Sequence, residues 1–203
     1  YIIDELLCPV SHCLLAQLPA SDIQLIMSHT QALSQCQQYL SKHYPNAQTH
    51  ATISTSKAAE LLANGKLTEY APEHVGVIGS AQLSTHYGLS IVDQTINDVT
   101  PNITRFVIVS RHHATATGTD KTSMILFPRH NEPGTLATTL AHFASASINL
   151  TKVESRPARN KLGNYVFFID FDGHNDDPII QNILNKIGRE NRYQWLGSYP
   201  KAD

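Results

Sequence analysis

The sequence is poor in cysteine: Cys8, Cys13 and Cys36 are the three among 203 residues. Their odd number and irregular spacing do not form a disulfide framework, and they give no zinc-ligand pattern. A dominant charge of either sign is also lacking. Fifteen Lys and Arg face seventeen Asp and Glu, the net charge is -2, and charged residues make up 16% of the chain. Nothing in that balance favours nucleic acid or an anionic membrane. Long apolar runs are missing as well. Stretches such as 106–109 and 165–169 fall far short of the roughly 20 residues that a membrane helix needs. No leader pattern is visible, so a reducing cytoplasm is the simplest compartment. Internal repeats and low-complexity segments are absent. The chain opens on Tyr1 rather than Met and runs straight into an apolar stretch, which reads as the tail of a longer polypeptide.

What is present is a hydrophobic share of 41%, enough to bury real cores. Strands are read at 24–28, 49–53, 75–78 and 89–92, with 75–78 fully apolar. Helices are expected between them. One covers 31–42, with Leu33, Cys36 and Leu40 on one face. A second begins at Ser54-Thr55-Ser56, whose hydroxyls suit an N-cap, and stops at Asn64-Gly65. A third runs from Gly79-Ser80 to Tyr87 and is closed by Gly88. This alternation predicts a mainly parallel α/β sheet. Ligands of such sheets lie beyond the carboxyl ends of the strands. Those ends carry Ser28, Ser54, Thr55, Gly79 and Ser80, a set of hydroxyls and helix starts suited to an anion.

A further strand is expected at 105–110, followed by a small, polar, aperiodic segment at 111–120 that reads as a linker. The pattern then restarts. Strands at 122–127, 149–154, 165–171 and 194–198 alternate with helices opening at Pro133-Gly134 and Pro178. A polar loop joins the second and third of these strands. That order is βαββαβ, a ferredoxin-like split βαβ.

Taken alone, these residues have ordinary explanations. Serine and threonine at helix starts are usually caps, a threonine opening a strand is unremarkable, and Gln35 on a helix is normally solvated. His29, His50, His74, His86, His112, His113 and His142 are scattered without ligand spacing, so metal binding is not expected. Cys36, on an apolar helix face, reads as a buried thiol rather than a nucleophile.

Several ordered strings nevertheless resemble the prephenate dehydratase family. Residues 28–36, Ser-His-Thr-Gln-Ala-Leu-Ser-Gln-Cys, are similar to its Ser-His-Pro-Gln-Ala-Leu-x-Gln-Cys segment. Residues 54–59 resemble its Ser-Thr-Ala-x-Ala-Ala segment, Tyr87-Gly88-Leu89 matches too, and 102–106 fit its Asn-x-Thr-Arg-Phe motif. Pro133-Gly134-Thr135-Leu136 resembles Pro-Gly-Ala-Leu, and 148–157 resemble the Glu-Ser-Arg-Pro segment of the family's ACT domain. Thr30 in place of proline, Ser56 in place of alanine, and Thr135 and Ala137 in the glycine turn are mild departures. The family's glycine-rich first strand and its Glu-Asn-Ser and Glu-Gly-Ser segments, which form the other wall of the cleft, are not in this sequence. Some members also carry a chorismate mutase domain at their N-terminus.

The resemblance implies a partial periplasmic-binding-protein-like α/β lobe, followed by a ferredoxin-like βαββαβ ACT domain. It places the partial catalytic domain at 1–112, a linker at 113–120 and the regulatory domain at 121–203. The implied reaction turns prephenate into phenylpyruvate, with loss of water and carbon dioxide, and needs no metal, redox cofactor or covalent nucleophile. The implied catalytic residues are Thr104, assisting departure of the ring hydroxide, with Arg105, Ser28 and Gln35. Arg105 reads equally as a carboxylate clamp or as a brace for its loop. Ser54, Thr55, Asn102 and Phe106 are the implied substrate-binding positions, although the ring of Phe106 reads more readily as core. L-Phenylalanine is the implied effector, held by Gly134, Thr135, Leu136, Asn149, Leu150, Glu154, Ser155, Arg156 and Pro157. A homodimer or higher homo-oligomer through the ACT domain is implied, with no nucleic-acid or membrane partner. The competing readings are a non-catalytic amino-acid-binding regulatory protein and one lobe of a solute-binding protein.

Overall fold

Alternation of buried side chains between two covered faces organises the first half of the chain. In a computed structural model, residues 1–17, 20, 22–66, 69–130, 132–158 and 165–202 are described. They form two compact units, Cys8–Thr104 and Tyr1–Leu7 with Arg105–Asp203.

The Cys8–Thr104 unit contains strands β2 (Cys13–Ala16), β3 (Leu25–His29), β4 (Gln48–Thr52), β5 (Val75–Gly79) and β6 (Ser90–Asp93). They form a sheet in the order β4-β3-β5-β2-β6. Leu15, Met27 and Val77 point to one face, where they pack on Ala58, Ala59, Leu62 and Leu83. Leu14, Ile26 and Ile78 point to the other, against Ala32, Cys36 and Leu40. Adjacent residues of one strand thus enter different cores, which is why β2, most of β3 and β5 are unbroken runs of buried residues. The β3–β4 and β3–β5 pairs are parallel, as expected. The β2–β5 and β2–β6 pairs are antiparallel. The sheet is therefore less parallel than the alternation suggested, because the four-residue strand β2 inserts itself between β5 and β6.

The helices are α1 (Thr30–Gln35), α2 (Gln37–His43), α3 (Thr55–Ala63) and α4 (Gln82–Tyr87). The single helix expected over 31–42 is broken at Cys36, whose φ of -122° and ψ of 16° lie outside the helical region. The break leaves α2 with orphan first-turn N–H groups. Asp98, remote in sequence, accepts from Gln38 N at 2.8 Å and Tyr39 N at 2.9 Å. Burial, and secondarily the Asp98 carboxylate, push the Cys36 thiol up to about 12. An inert thiol follows.

The second unit contains β8 (Asp120–Phe127), α5 (Thr135–Ser145), β9 (Leu150–Pro157), β10 (Tyr165–Asp172), α6 (Pro178–Glu190) and β11 (Arg192–Pro200). The sheet order β11-β8-β10-β9 with antiparallel pairing is the ferredoxin-like arrangement. Its core joins Met124, Leu126, Ile169 and Phe171 of the sheet to Phe143 of α5 and to Ile180, Ile183, Leu184 and Ile187 of α6. Most of the polar loop expected between β9 and β10, residues 159–164, lies outside the described residues.

The ribbon of β1 (Ile2–Pro9) and β7 (Ile103–Val109) explains why the compact units divide at Leu7/Cys8 and Thr104/Arg105 rather than at a linker over 113–120. Most of both strands belongs with the ferredoxin-like unit. The Tyr1 ammonium donates to the Ser110 carbonyl, and His113 stacks on Trp195 with centroids 4.7 Å apart. Residues 117–120 form a turn in which the Asp120 carboxylate accepts from Thr117 N, Thr117 Oγ1 and Gly118 N. Burial alone would raise the Asp120 carboxyl, but these bonds outweigh it and hold the group below its ordinary range.

Gly197 has φ +152°, and a Cβ there would stand 2.0 Å from the Ile2 carbonyl oxygen. Gly197→Ala is therefore expected to force β1 off β11 and destabilise this unit by about 1–3 kcal/mol. Urea unfolding checks this, and an unchanged midpoint would contradict the close approach.

Candidate active site

A cavity of about 310 Å³ opens beyond the carboxyl ends of β3 and β4. Four segments of the Cys8–Thr104 unit supply its walls. Val10 and His12 come from the turn before β2, and His29, Gln31, Ala32 and Gln35 from the end of β3 and from α1. Ile53, Ser54 and Thr55 come from the turn into α3, and Asn102 and Thr104 from the approach to β7 and its start. Thus Gln35, Ser54, Thr55, Asn102 and Thr104, singled out in the sequence, share one cavity. A larger neighbouring cavity of about 440 Å³ shares Gln35 and Asn102 but none of the three hydroxyls. Its Asp98 carboxylate is already committed to α2. The smaller cavity is the better candidate on chemistry.

Its polar groups are mostly donors with spare capacity. Ser54 caps α3 by accepting from Lys57 N at 3.0 Å, which leaves its own O–H free to donate. Among the described residues, the hydroxyls of Thr55 and Thr104 have no hydrogen-bond partner. None of the described lining residues is Lys, Arg, Asp or Glu. An anion held here would rest on hydroxyls, carboxamides and the first-turn N–H groups of α3 rather than on a fixed positive charge.

Five residues expected at the site do not line this cavity. Ser28 is 0% exposed, and its Oγ donates to the Ile78 carbonyl at 2.7 Å. It ties β3 to β5 rather than facing a ligand, and the next residue, His29, reaches the cavity instead. Gly79 and Ser80 are likewise not among the lining residues. The guanidinium of Arg105 is taken up by Glu5 Oε2 at 2.5 Å, Asp170 Oδ2 at 2.7 Å and the Tyr199 hydroxyl. Of its two sequence readings, the brace is the one seen. Phe106, expected as core or as a substrate contact, is 54% exposed and does not line the cavity. A two-stranded ribbon leaves its faces largely uncovered.

The sequence reading passed over His12. This residue is 7% exposed, and its Nε2 lies 2.8 Å from Gln35 Oε1. Its signal was the quartet Cys13-Leu14-Leu15-Ala16, too short to be read as a strand, which places His12 just before a fully buried β2.

In the ferredoxin-like unit, Gly134 caps α5 with φ +92°, and a Cβ there would meet no heavy atom of the described residues within 4 Å. Thr135 and Leu136 begin α5, and Leu136 and Leu150 pack against the core. Asn149 Nδ2 donates to Asp172 Oδ2 at 3.3 Å. Glu154, Ser155, Arg156 and Pro157 lie on β9, an edge strand. Lys152 at 2.8 Å and Arg156 at 2.6 Å flank the Glu154 carboxylate and hold it below its ordinary value.

The prephenate dehydratase family model matches residues 1–114, and the ACT domain model matches 123–189. A bifunctional chorismate mutase/prephenate dehydratase of Stutzerimonas stutzeri is 42% identical over 94% of this chain and 51% of its own length. A prephenate dehydratase of Methanocaldococcus jannaschii is 35% identical over 100% of this chain and 72% of its own. The crystal structure of an Arthrobacter aurescens prephenate dehydratase in complex with L-Phe superposes with a TM-score of 0.84. It is 34% identical and covers 100% of this chain and 66% of its own. The chain spans about half the length of several curated relatives it matches. No described helix is long and apolar enough to cross a membrane. With its first 114 residues matched by that family model and its later part by a second, this chain belongs to the prephenate dehydratase family and carries an ACT domain behind the dehydratase segment.

Proposed function

We propose that this chain forms one wall of a prephenate dehydratase active site and that its ACT domain makes the enzyme responsive to L-phenylalanine. The observation that carries the proposal is the convergence of Thr104, Thr55, Ser54 and Gln35 on one cavity with no Lys, Arg, Asp or Glu among its described lining residues. Prephenate brings two carboxylates and a ring hydroxyl. As the ring carboxylate leaves as carbon dioxide, the electron pair of its C–C bond enters the ring. The C–O pair departs with the hydroxyl, and one proton turns the leaving hydroxide into water. Aromatisation drives the step, so the protein's task is to hold the dianion and supply that proton.

Thr104 Oγ–H is assigned to the departing oxygen. Ser54, Thr55 and the first-turn N–H groups of α3 are assigned to a carboxylate, with Asn102 and Gln35 closing the wall. Incubating the whole protein with prephenate tests the reading. Phenylpyruvate and carbon dioxide are expected in equal amounts. Phenylalanine binding without either product would favour the non-catalytic amino-acid-binding reading.

Feedback by phenylalanine requires that it bind one global state better than the other, typically by about 1–3 kcal/mol. Gly134, Thr135, Leu136, Asn149, Leu150 and residues 154–157 are the proposed effector positions. Assembly of a homodimer or higher oligomer through the ACT domain belongs to the same proposal, supported by the exposed Val153 and Tyr165 on β9 and β10. Gly134→Ala adds a methyl that meets nothing among the described residues, at a local strain of about 1–2 kcal/mol. It is expected to raise the phenylalanine concentration for half-inhibition by about 5- to 150-fold while sparing turnover. An unchanged inhibition curve would remove Gly134 from the effector site.

A further inference from the structure

We infer that His12 is a positioning residue, which holds the carboxamide of Gln35 with its NH₂ group turned to the substrate. The inference rests on the proposed dehydratase reading. Gln35 Oε1 receives two contacts, from His12 Nε2 at 2.8 Å and from Asn102 Nδ2 at 3.2 Å. Asn102 Nδ2 can only donate, so the atom between them is an acceptor and His12 Nε2 carries the ring proton.

The opposite tautomer would put the proton on Nδ1, which is buried and has no partner among the described residues. Buried N–H groups without an acceptor are rare because nothing replaces the lost water. Nδ1 is therefore the bare nitrogen. With Oε1 occupied twice, the Gln35 NH₂ has no partner among the described residues, and Gln35 lines the cavity. An NH₂ group serves only acceptors, so Gln35 is fixed as a donor to a substrate oxygen.

The backbone shows why the imidazole stays in place. His12 N donates to Asn97 Oδ1 at 2.8 Å, and His12 O accepts from Ile96 N at 3.0 Å. The next residue of that segment, Asp98, donates its N–H to the Gln35 carbonyl at 2.8 Å. One three-residue segment thus clamps the main chains of both His12 and Gln35, and the ring contact sets the last torsion of the glutamine. A misaligned donor is expensive in a site that works by positioning.

The test pairs kinetics with a readout that does not depend on turnover. His12→Phe keeps an aromatic ring without the donor, and His12→Gln restores an N–H at similar reach. His12→Phe should lower kcat/KM for prephenate by about 10-fold or more, and His12→Gln should recover most of that loss. In a Gln35→Ala background, His12→Phe should add less than about 2-fold, because the two residues act as one unit. Equal losses in both His12 variants, no loss in either, or additive losses would overturn the inference. Two-bond ¹H–¹⁵N correlation should show the wild-type His12 ring protonated at Nε2, with a shift on Gln35→Ala. A proton on Nδ1 would overturn it as well. A wild-type protein that leaves prephenate untouched yet shows the Nε2 tautomer would sink the dehydratase reading alone.

Discussion

Thr104→Ala is expected to lower kcat for prephenate dehydration by about 10²- to 10⁴-fold, the usual range for one positioned proton donor. The structure makes this a clean experiment. Thr104 is exposed to the cavity, and its hydroxyl bonds to nothing among the described residues. Truncation removes no hydrogen bond among the described residues, so stability should stay within about 0.5 kcal/mol of wild type. Phenylalanine affinity, measured by calorimetry, should also be unchanged. Thr104→Ser keeps an O–H at the same place and should retain activity within about 10-fold. Turnover by the alanine variant within a few-fold of wild type would remove Thr104 from the chemistry, whatever the fate of the other residues.

The contrast between Ser28 and Ser54 shows how far the site was legible in the sequence. Both looked like hydroxyls at the end of a parallel strand. Ser54 begins a helix, and capping geometry turns its side chain outward into the turn. Ser28 is followed by one more strand residue, His29, so it remains inside the sheet between two packed faces. One residue of strand length decided which of them meets solvent, and strand ends are where sequence patterns are weakest.

His12 and Arg105 were hidden for another reason: their roles are set by partners remote in sequence. The Gln35 carboxamide lies 23 positions from His12, and the acceptors around Arg105 lie 65, 94 and 100 positions away. A planar five-donor fork reads the same in sequence whether it waits for a substrate or is already filled. By contrast, the ferredoxin-like half was readable almost throughout. Its helix α6 keeps Ile180, Ile183, Leu184 and Ile187 on one buried stripe, and each of its strands announces itself by local pattern. The break at Cys36 was invisible because Asp98, which caps the second helix, is supplied by a distant loop.

Arg105→Met is expected to destabilise the ferredoxin-like unit by about 3 kcal/mol near neutral pH, the lower end for removing one member of a buried ion cluster. The guanidinium holds two carboxylates whose side chains are nearly out of water, Glu5 at 1% and Asp170 at 8% exposure. Lys121 remains on Glu5 at 2.6 Å, but among the described residues Asp170 keeps only Ser123 as a side-chain donor. Arg105→Lys should recover little, because a single ammonium cannot reach three acceptors set around a planar fork.

The sign of the pH dependence is fixed by Glu5. Burial alone would raise its carboxyl, but the Lys121 ammonium, the Ala202 N–H and Arg105 outweigh burial and hold it below its ordinary 4.5. In the wild-type protein this contribution is fully present above that value and is lost as pH falls through the lower folded-state value. Arg105→Met removes one of the groups that lower the Glu5 carboxyl, while Lys121 and the Ala202 N–H remain, so Glu5 takes up its proton at a higher pH in the folded variant than in the wild type. The stability gap between the two proteins should therefore narrow as pH drops from 7 to about 4. Urea unfolding of both proteins across that range decides the matter. A gap that stays constant, or a loss under about 1 kcal/mol at neutral pH, would mean that the cluster is solvated enough for its charges to stand alone.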